Sequence, residues 1–195
     1  MIKNIVFDMG NVLMEYNPDR ALDAFLETPE DKALIRRELF EGPEWIQGDL
    51  GYIADTDRFE GVSKRVPPRL HKALRKCVDG WPVYMAVKPE AQRFCAYVKE
   101  KGYRIYVLSN ASDAFYQYFP QFAPLNYFDG IVVSSDIRLI KPDIEIYRYF
   151  LRKYELKAEE CFFIDDREEN VEGARAAGMQ GHVFCEDFET IRELI

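Results

Sequence analysis

Asp8 directly follows the short run Lys3-Asn4-Ile5-Val6-Phe7, and three further polar features follow later apolar runs. Ser109 and Asn110 come after Tyr106-Val107-Leu108, Lys141 stands in Ile140-Lys141-Pro142-Asp143, and Asp165 and Asp166 come after Phe162-Phe163-Ile164. A carboxylate can attack phosphorus and form an acyl phosphate, which splits a difficult hydrolysis into two easier steps. Carboxylate and phosphate repel each other, so a hard cation on oxygen ligands, such as Mg²⁺, is needed to bring them together. Asp8 and Asp166 are suited to supply such ligands, Asp165 to hold a metal-bound water, and Lys141 to place an ammonium against both Asp8 and a phosphate. The Ser109 hydroxyl and neighbouring N–H groups can hold the remaining phosphate oxygens. Singly, each feature has a commoner explanation. An Asp at a strand end is usually a turn or a cap, and Ser-Asn after a strand is usually a helix N-cap. The reading rests on their order and on the strand end they share.

The elements that must position them follow from the pattern. Apolar runs at 3–7, 104–108, 131–133, 161–164 and 182–185 read as buried strands. Helical patterns at 89–101, 144–154 and 170–177 lie between them, so the chain predicts an α/β fold with a parallel, Rossmann-like sheet. Gly102 and Gly178 stand where helices need a left-handed cap. Residues 17–87 break this rhythm, with helix-like stretches at 19–27, 30–40, 55–66 and 69–79 and no convincing strand. The expected division is a core of 1–16 and 88–195 with an inserted helical-bundle cap of 17–87. Ligands of open α/β sheets bind at the carboxyl edge, where such an insert would cover the site.

The segments Phe7-Asp8-Met9-Gly10-Asn11-Val12-Leu13, Leu108-Ser109-Asn110, Lys141-Pro142 and Ile164-Asp165-Asp166 with Asn170 resemble the four ordered motifs of the haloacid dehalogenase superfamily. The resemblance spans nearly the whole chain, and residues 17–87 resemble that superfamily's helical cap. It implies a Mg²⁺-dependent phosphomonoester hydrolase with Asp8 as nucleophile and an aspartyl-phosphate intermediate. Asp8, the backbone carbonyl of Gly10 and Asp166 would hold the metal, with Asp165 acting through water. Ser109, Asn110 and Lys141 would hold the phosphate. The opening motif is closest to bacterial α-D-glucose-1-phosphate phosphatases and the phosphatase domain of soluble epoxide hydrolases, which implies a small phosphorylated metabolite, a sugar phosphate first.

One position departs from the pattern. Most phosphatases of the superfamily carry a second Asp two residues after the nucleophile as general acid and base, and this chain has Gly10 there. Loss of a general acid costs about 10²- to 10⁴-fold. A good leaving group, such as an anomeric sugar phosphate, would compensate, and Glu15 is the nearest acid in sequence that could substitute. Two rivals stay open: a metal-independent haloacid dehalogenase, which needs no second Asp, and a weakly active binding or regulatory protein that keeps the fold.

Composition narrows the rest. The 195 residues carry a formal charge of −8 with 48% hydrophobic and 31% charged residues. That balance suits a globular protein and argues against nucleic acid or an anionic membrane as partner. The expectation is a cytoplasmic monomer or homodimer. Cys77, Cys95, Cys161 and Cys185 are far apart and read as reduced thiols. Residues 45–52, with Trp45, Tyr52 and two glycines, read as a loop between cap helices whose aromatics line the substrate cavity or pack inside the bundle. The aromatic run from Phe115 to Phe122 reads as core packing or a dimer surface, and His71 and His182 as bystanders.

Overall fold

The computed structural model describes all of residues 1–195. Strand β1 (Asn4–Phe7) runs into the Asp8 loop and a two-residue strand β2 (Met14–Glu15). Helices α1 (Pro18–Phe25), α2 (Pro29–Ile35), α3 (Pro43–Asp49), α4 (Arg58–Val62) and α5 (His71–Gly80) follow, before a second short strand β3 (Ala86–Val87). The chain then alternates: α6 (Pro89–Glu100), β4 (Arg104–Ser109), α7 (Phe115–Tyr118), β5 (Gly130–Val133), α8 (Ser134–Ile137), α9 (Ile144–Lys153), β6 (Cys161–Asp165), α10 (Glu168–Ala176), β7 (Gln180–Val183) and α11 (Phe188–Leu194).

The main sheet is parallel, in the order β5-β4-β1-β6-β7. Its strands alternate between two apolar layers, as a period of two requires. Ile5, Phe7, Ile105, Val107 and Ile164 face one layer, and Val6, Tyr106, Leu108 and Phe163 face the other. Burial on both faces explains why these strands read as unbroken apolar runs. In the register, Phe7 stands opposite both Val107 and Ile164. Asp8, Ser109 and Asp165 therefore emerge at one edge. From β1 the chain proceeds to β4 and β5 on one side, and from β6 to β7 on the other, so the crevice between β1 and β6 is the switch point where such folds bind ligands.

The inserted helices have local causes. Proline starts α1, α2 and α3, and the Asn17 and Thr28 side chains accept from Asp19 N and Asp31 N. After α6 and α10, Gly102 (φ 89°) and Gly178 (φ 91°) adopt the expected left-handed caps. Three features differ from the pattern reading. The stretch expected as one helix over 30–40 ends as α2 and continues as a wider π turn from Arg36 to Phe40. The strand expected at 182–185 is β7, shifted two residues earlier. Residues 43–49 are helical rather than a loop, because Gly48 is not a breaker here. A Cβ at Gly48 would sit 2.5 Å from the Arg58 guanidinium, so the glycine admits a buried arginine against the helix. The β2–β3 pair, two residues on each strand, joins the insert to the sheet and is too short to show a pattern. No helix is long and apolar enough to cross a membrane.

Candidate active site

Asp8 is held at the end of β1 by its own N–H, which donates to the Ile164 carbonyl at 2.8 Å. The Lys141 ammonium donates to Asp8 Oδ1 and to Asp165 Oδ2, each at 2.6 Å. Asn110 sets that lysine in place. Its amide donates to the Lys141 carbonyl at 3.0 Å and accepts from the Lys141 N–H at 2.8 Å. Asp165 is fully buried, and its oxygens also accept from Arg167 N and Asn170 Nδ2, both at 2.9 Å. Asp166 is more open and accepts from Asn11 Nδ2 at 3.0 Å. Ser109 is buried at the end of β4, and its hydroxyl has no partner.

Carboxylate oxygens of Asp8, Asp165 and Asp166 lie within 4.8 Å of one another. Two oxygens across a six-coordinate Mg²⁺ are about 4.2 Å apart, so the cluster needs only a small closure around such an ion. Its charge points the same way, with three carboxylates facing the single ammonium of Lys141. Burial, above all, pushes the Asp8 carboxyl up to about 7; Lys141 pulls it down, and Asp165 and Asp166 push it up again. For Lys141, burial disfavours the ammonium, but the Asp165 and Asp8 charges outweigh it and raise the pKa. An all-oxygen, negatively charged cluster suits a hard divalent cation.

A cavity of about 460 Å³ opens above Asp8. Asp8, Gly10, Asn110, Lys141 and Asp166 line it from the edge of the sheet, Trp45, Ile46, Asp49, Trp81 and Met85 from the inserted segment, and Tyr16 from just before that segment. Residues 2–178 match the family model described as haloacid dehalogenase-like hydrolase. The chain belongs to that family. This hydrolase is similar over 98% of its length to a sesquiterpene phosphatase of Aspergillus oryzae, with 28% identity over 197 residues and 94% of that protein covered. It is 24% identical over 187 residues to a D-ribitol-5-phosphate phosphatase of Bacteroides thetaiotaomicron, covering 92% of this chain and 90% of that one. In fold it is similar to a haloacid dehalogenase family enzyme of Bacteroides thetaiotaomicron solved with magnesium and inorganic phosphate (TM-score 0.76, 22% identity, 98% and 99% of the two chains).

Of the aromatic residues singled out within residues 45–52, Trp45 lines the cavity while packing against Phe40, Trp81 and Tyr16. Tyr52 is 61% exposed and lies outside the cavity. Glu15 is paired with Arg20 at 2.5 Å and is likewise outside. Phe115, Tyr118, Phe119 and Phe122 are buried and pack in the core, while Tyr116 of the same run is exposed. His71 is tied to the carbonyls of Ser63 and Val66. Tyr118, although buried with its run, also lines the cavity, and Asp49 and Asn11 are cavity residues to which pattern reading gave no role. Only Asn11 left a signal, since Asn tolerates the left-handed turn (φ 57°) that brings its amide back to Asp166.

Proposed function

We propose that this chain is a Mg²⁺-dependent phosphomonoester hydrolase that works through an aspartyl-phosphate on Asp8. The observation that carries the reading is the Asp8 carboxylate, fixed by Lys141 in the wall of a cavity and flanked by the Asp165–Asp166 pair. A bound Mg²⁺, held by Asp8, Asp166 and the Gly10 carbonyl, would neutralise phosphate charge and let two anions meet. Asp8 attacks phosphorus from the core side, and the ester oxygen leaves toward the cap. Lys141 keeps Asp8 oriented and offers its charge to a phosphate oxygen. The unpartnered Ser109 hydroxyl is a donor ready for another. Asp165, saturated by Lys141, Asn170 and Arg167, acts by holding Lys141. Asp166, the open carboxylate beside Asp8, favours this reading over a metal-independent dehalogenase, which needs no further cation ligand.

The substrate is a small phosphorylated metabolite whose organic part meets residues 17–87, taken as a cap. Trp45, Trp81, Met85 and Ile46, with Tyr16 beside them, make that wall largely apolar. Aromatic walls receive the flat face of a sugar ring or an isoprenoid chain, so sugar phosphates and terpenyl monophosphates are the two classes to assay. Release of phosphate from a panel of both, with and without Mg²⁺, tests the proposal. Turnover should require Mg²⁺ and vanish in Asp8→Asn. Undiminished turnover in Asp8→Asn, or turnover indifferent to chelation, would overturn it.

A further inference from the structure

We propose that Asp49, on the cap side of the cavity, is the general acid and base that Gly10 cannot be; this rests on the phosphomonoesterase reading above. Asp49 ends α3, and the fold fixes it relative to the core. The Ser134 hydroxyl donates to the Asp49 carbonyl at 2.6 Å and accepts from Ala111 N at 3.0 Å, which ties α3 to the loop following Ser109 and Asn110. Asp49 is therefore anchored to the same loop that positions Lys141.

Its carboxylate is free for chemistry. The neighbouring cation, Arg58, is buried and already paired with Asp55 at 2.7 Å. Asp55 is further held by Trp81 Nε1 and Ser112 Oγ, both at 2.8 Å. Arg58 approaches Asp49 only to 3.6 Å, and the Asp49 carboxylate accepts no hydrogen bond from the protein. Asp8, Asp49 and Asp166 are the carboxylates that line the cavity, and no His or Cys joins them. Asp166 is engaged by Asn11 and belongs to the metal cluster. Tyr118, a buried phenol in the cavity wall, is close enough to Asp49 and Asp8 for both charges to raise its pKa, behind the larger effect of burial. Asp8, Asp49 and Tyr118 line the same cavity.

The groups around Asp49 are Arg58 of α4, Asp55 before it, Tyr16 after β2 and Tyr118 of α7. Burial pushes the Asp49 carboxyl up to about 7, against the pull of Arg58 and with a further push from Asp55. A proton donor near neutrality is what acid–base exchange at neutral pH requires.

The chemistry balances. As Asp8 forms its bond to phosphorus, the ester P–O bond breaks, and the leaving oxygen takes the Asp49 proton. Water then enters the vacated position opposite Asp8. It gives a proton to the Asp49 carboxylate and its oxygen to phosphorus, and the P–O bond to Asp8 breaks. Phosphate leaves, with Asp8 ionised and Asp49 protonated as at the start.

The test compares hexyl phosphate, whose alkoxide needs a proton, with para-nitrophenyl phosphate, whose phenolate does not, both with Mg²⁺. Asp49→Asn should lose about 10²- to 10⁴-fold on hexyl phosphate. On the nitrophenyl ester it should release one equivalent at the wild-type rate and then stall as phosphorylated Asp8. Equal losses on both esters from the first turnover, or wild-type rates on both, would overturn the proposal. The wild-type protein gives a second readout that does not depend on the variant's folding. Its kcat/KM for hexyl phosphate should fall above about pH 7, while the first-turnover nitrophenolate rate should not; coincident basic limbs overturn the proposal. A wild-type protein inert toward both esters sinks the phosphatase reading itself, and this inference with it.

Discussion

At the scale of single residues, Asp49 bears on stability as well as on chemistry. Its folded-state carboxyl lies near 7, above the ordinary value of 3.8, mainly because it is buried. A raised value for an acid means that the folded state prefers the neutral form. The cost is absent below pH 4, where the folded and unfolded chains are both protonated. It grows between pH 4 and 7 and is fully present above 7, at about 1.4 kcal/mol for each unit between the two values. An asparagine carries no such cost, and Arg58 keeps Asp55. Asp49→Asn should therefore melt higher than wild type at pH 8, by roughly 9–18 °C for a chain of this size, and at the same temperature near pH 4. Thermal melts across that range check the sign; a variant that gains nothing at pH 8 contradicts the account of burial. Gly10 gives the complementary experiment. A Cβ there would meet only Asp8 Oδ2, at 3.8 Å, so a side chain fits. Gly10→Asp in the Asp49→Asn background should restore at least about tenfold of the lost hexyl phosphate turnover, measured as phosphate release.

At the scale of elements, the seam between α3 and α8 sets where Asp49 stands. Gly51, just past α3, has φ 66°, and a Cβ on it would lie 2.1 Å from the Ser135 carbonyl oxygen of α8. Gly51→Ala combines left-handed strain with a backbone clash, on the order of 2–5 kcal/mol together, and it must part the two helices. Its melting point should fall by roughly 5–15 °C, with kcat/KM lowered as Asp49 moves. Gly102→Ala is the control, because Gly102 is also left-handed but has nothing within 4 Å of the new Cβ. It should cost about 1–2 kcal/mol and leave kcat/KM unchanged. The same seam shows what could and could not be read from the chain. Asp8, Ser109, Asp165 and Asp166 were legible because a buried strand is an apolar run, and its end is marked by the first polar residue. Lys141 was legible through its motif. Asp49 was not, since helical periodicity places residues on a face but does not say which helix end will meet a strand end. Gly48 and Gly51 suggested a loop over 45–52. One of them instead makes room for Arg58 and the other for Ser135, requirements visible only once α4 and α8 are in place.

At the scale of the whole molecule, charge couples the site to folding. The chain carries a net charge of −8, and three of its carboxylates lie within 4.8 Å of one another, with one ammonium paired to two of them. Such a cluster opposes folding unless a cation joins it, so a bound Mg²⁺ should act as a structural ligand of the native state as well as a participant in turnover. At 100 times its Kd the ion contributes about 2.7 kcal/mol, or roughly 5–10 °C in melting temperature. Asp166→Asn removes one of the converging charges and turns a proposed carboxylate ligand into a neutral amide, while the Lys141 contacts to Asp8 and Asp165 are untouched. The metal-free variant should therefore melt at or above the metal-free wild type, and the Mg²⁺-induced rise should disappear along with turnover. Loss of turnover alone would be compatible with many defects. Loss of the Mg²⁺-dependent rise with the metal-free melting point preserved is specific to a ligand of the ion. A variant that keeps the full rise would place the cation elsewhere and remove Asp166 from its shell.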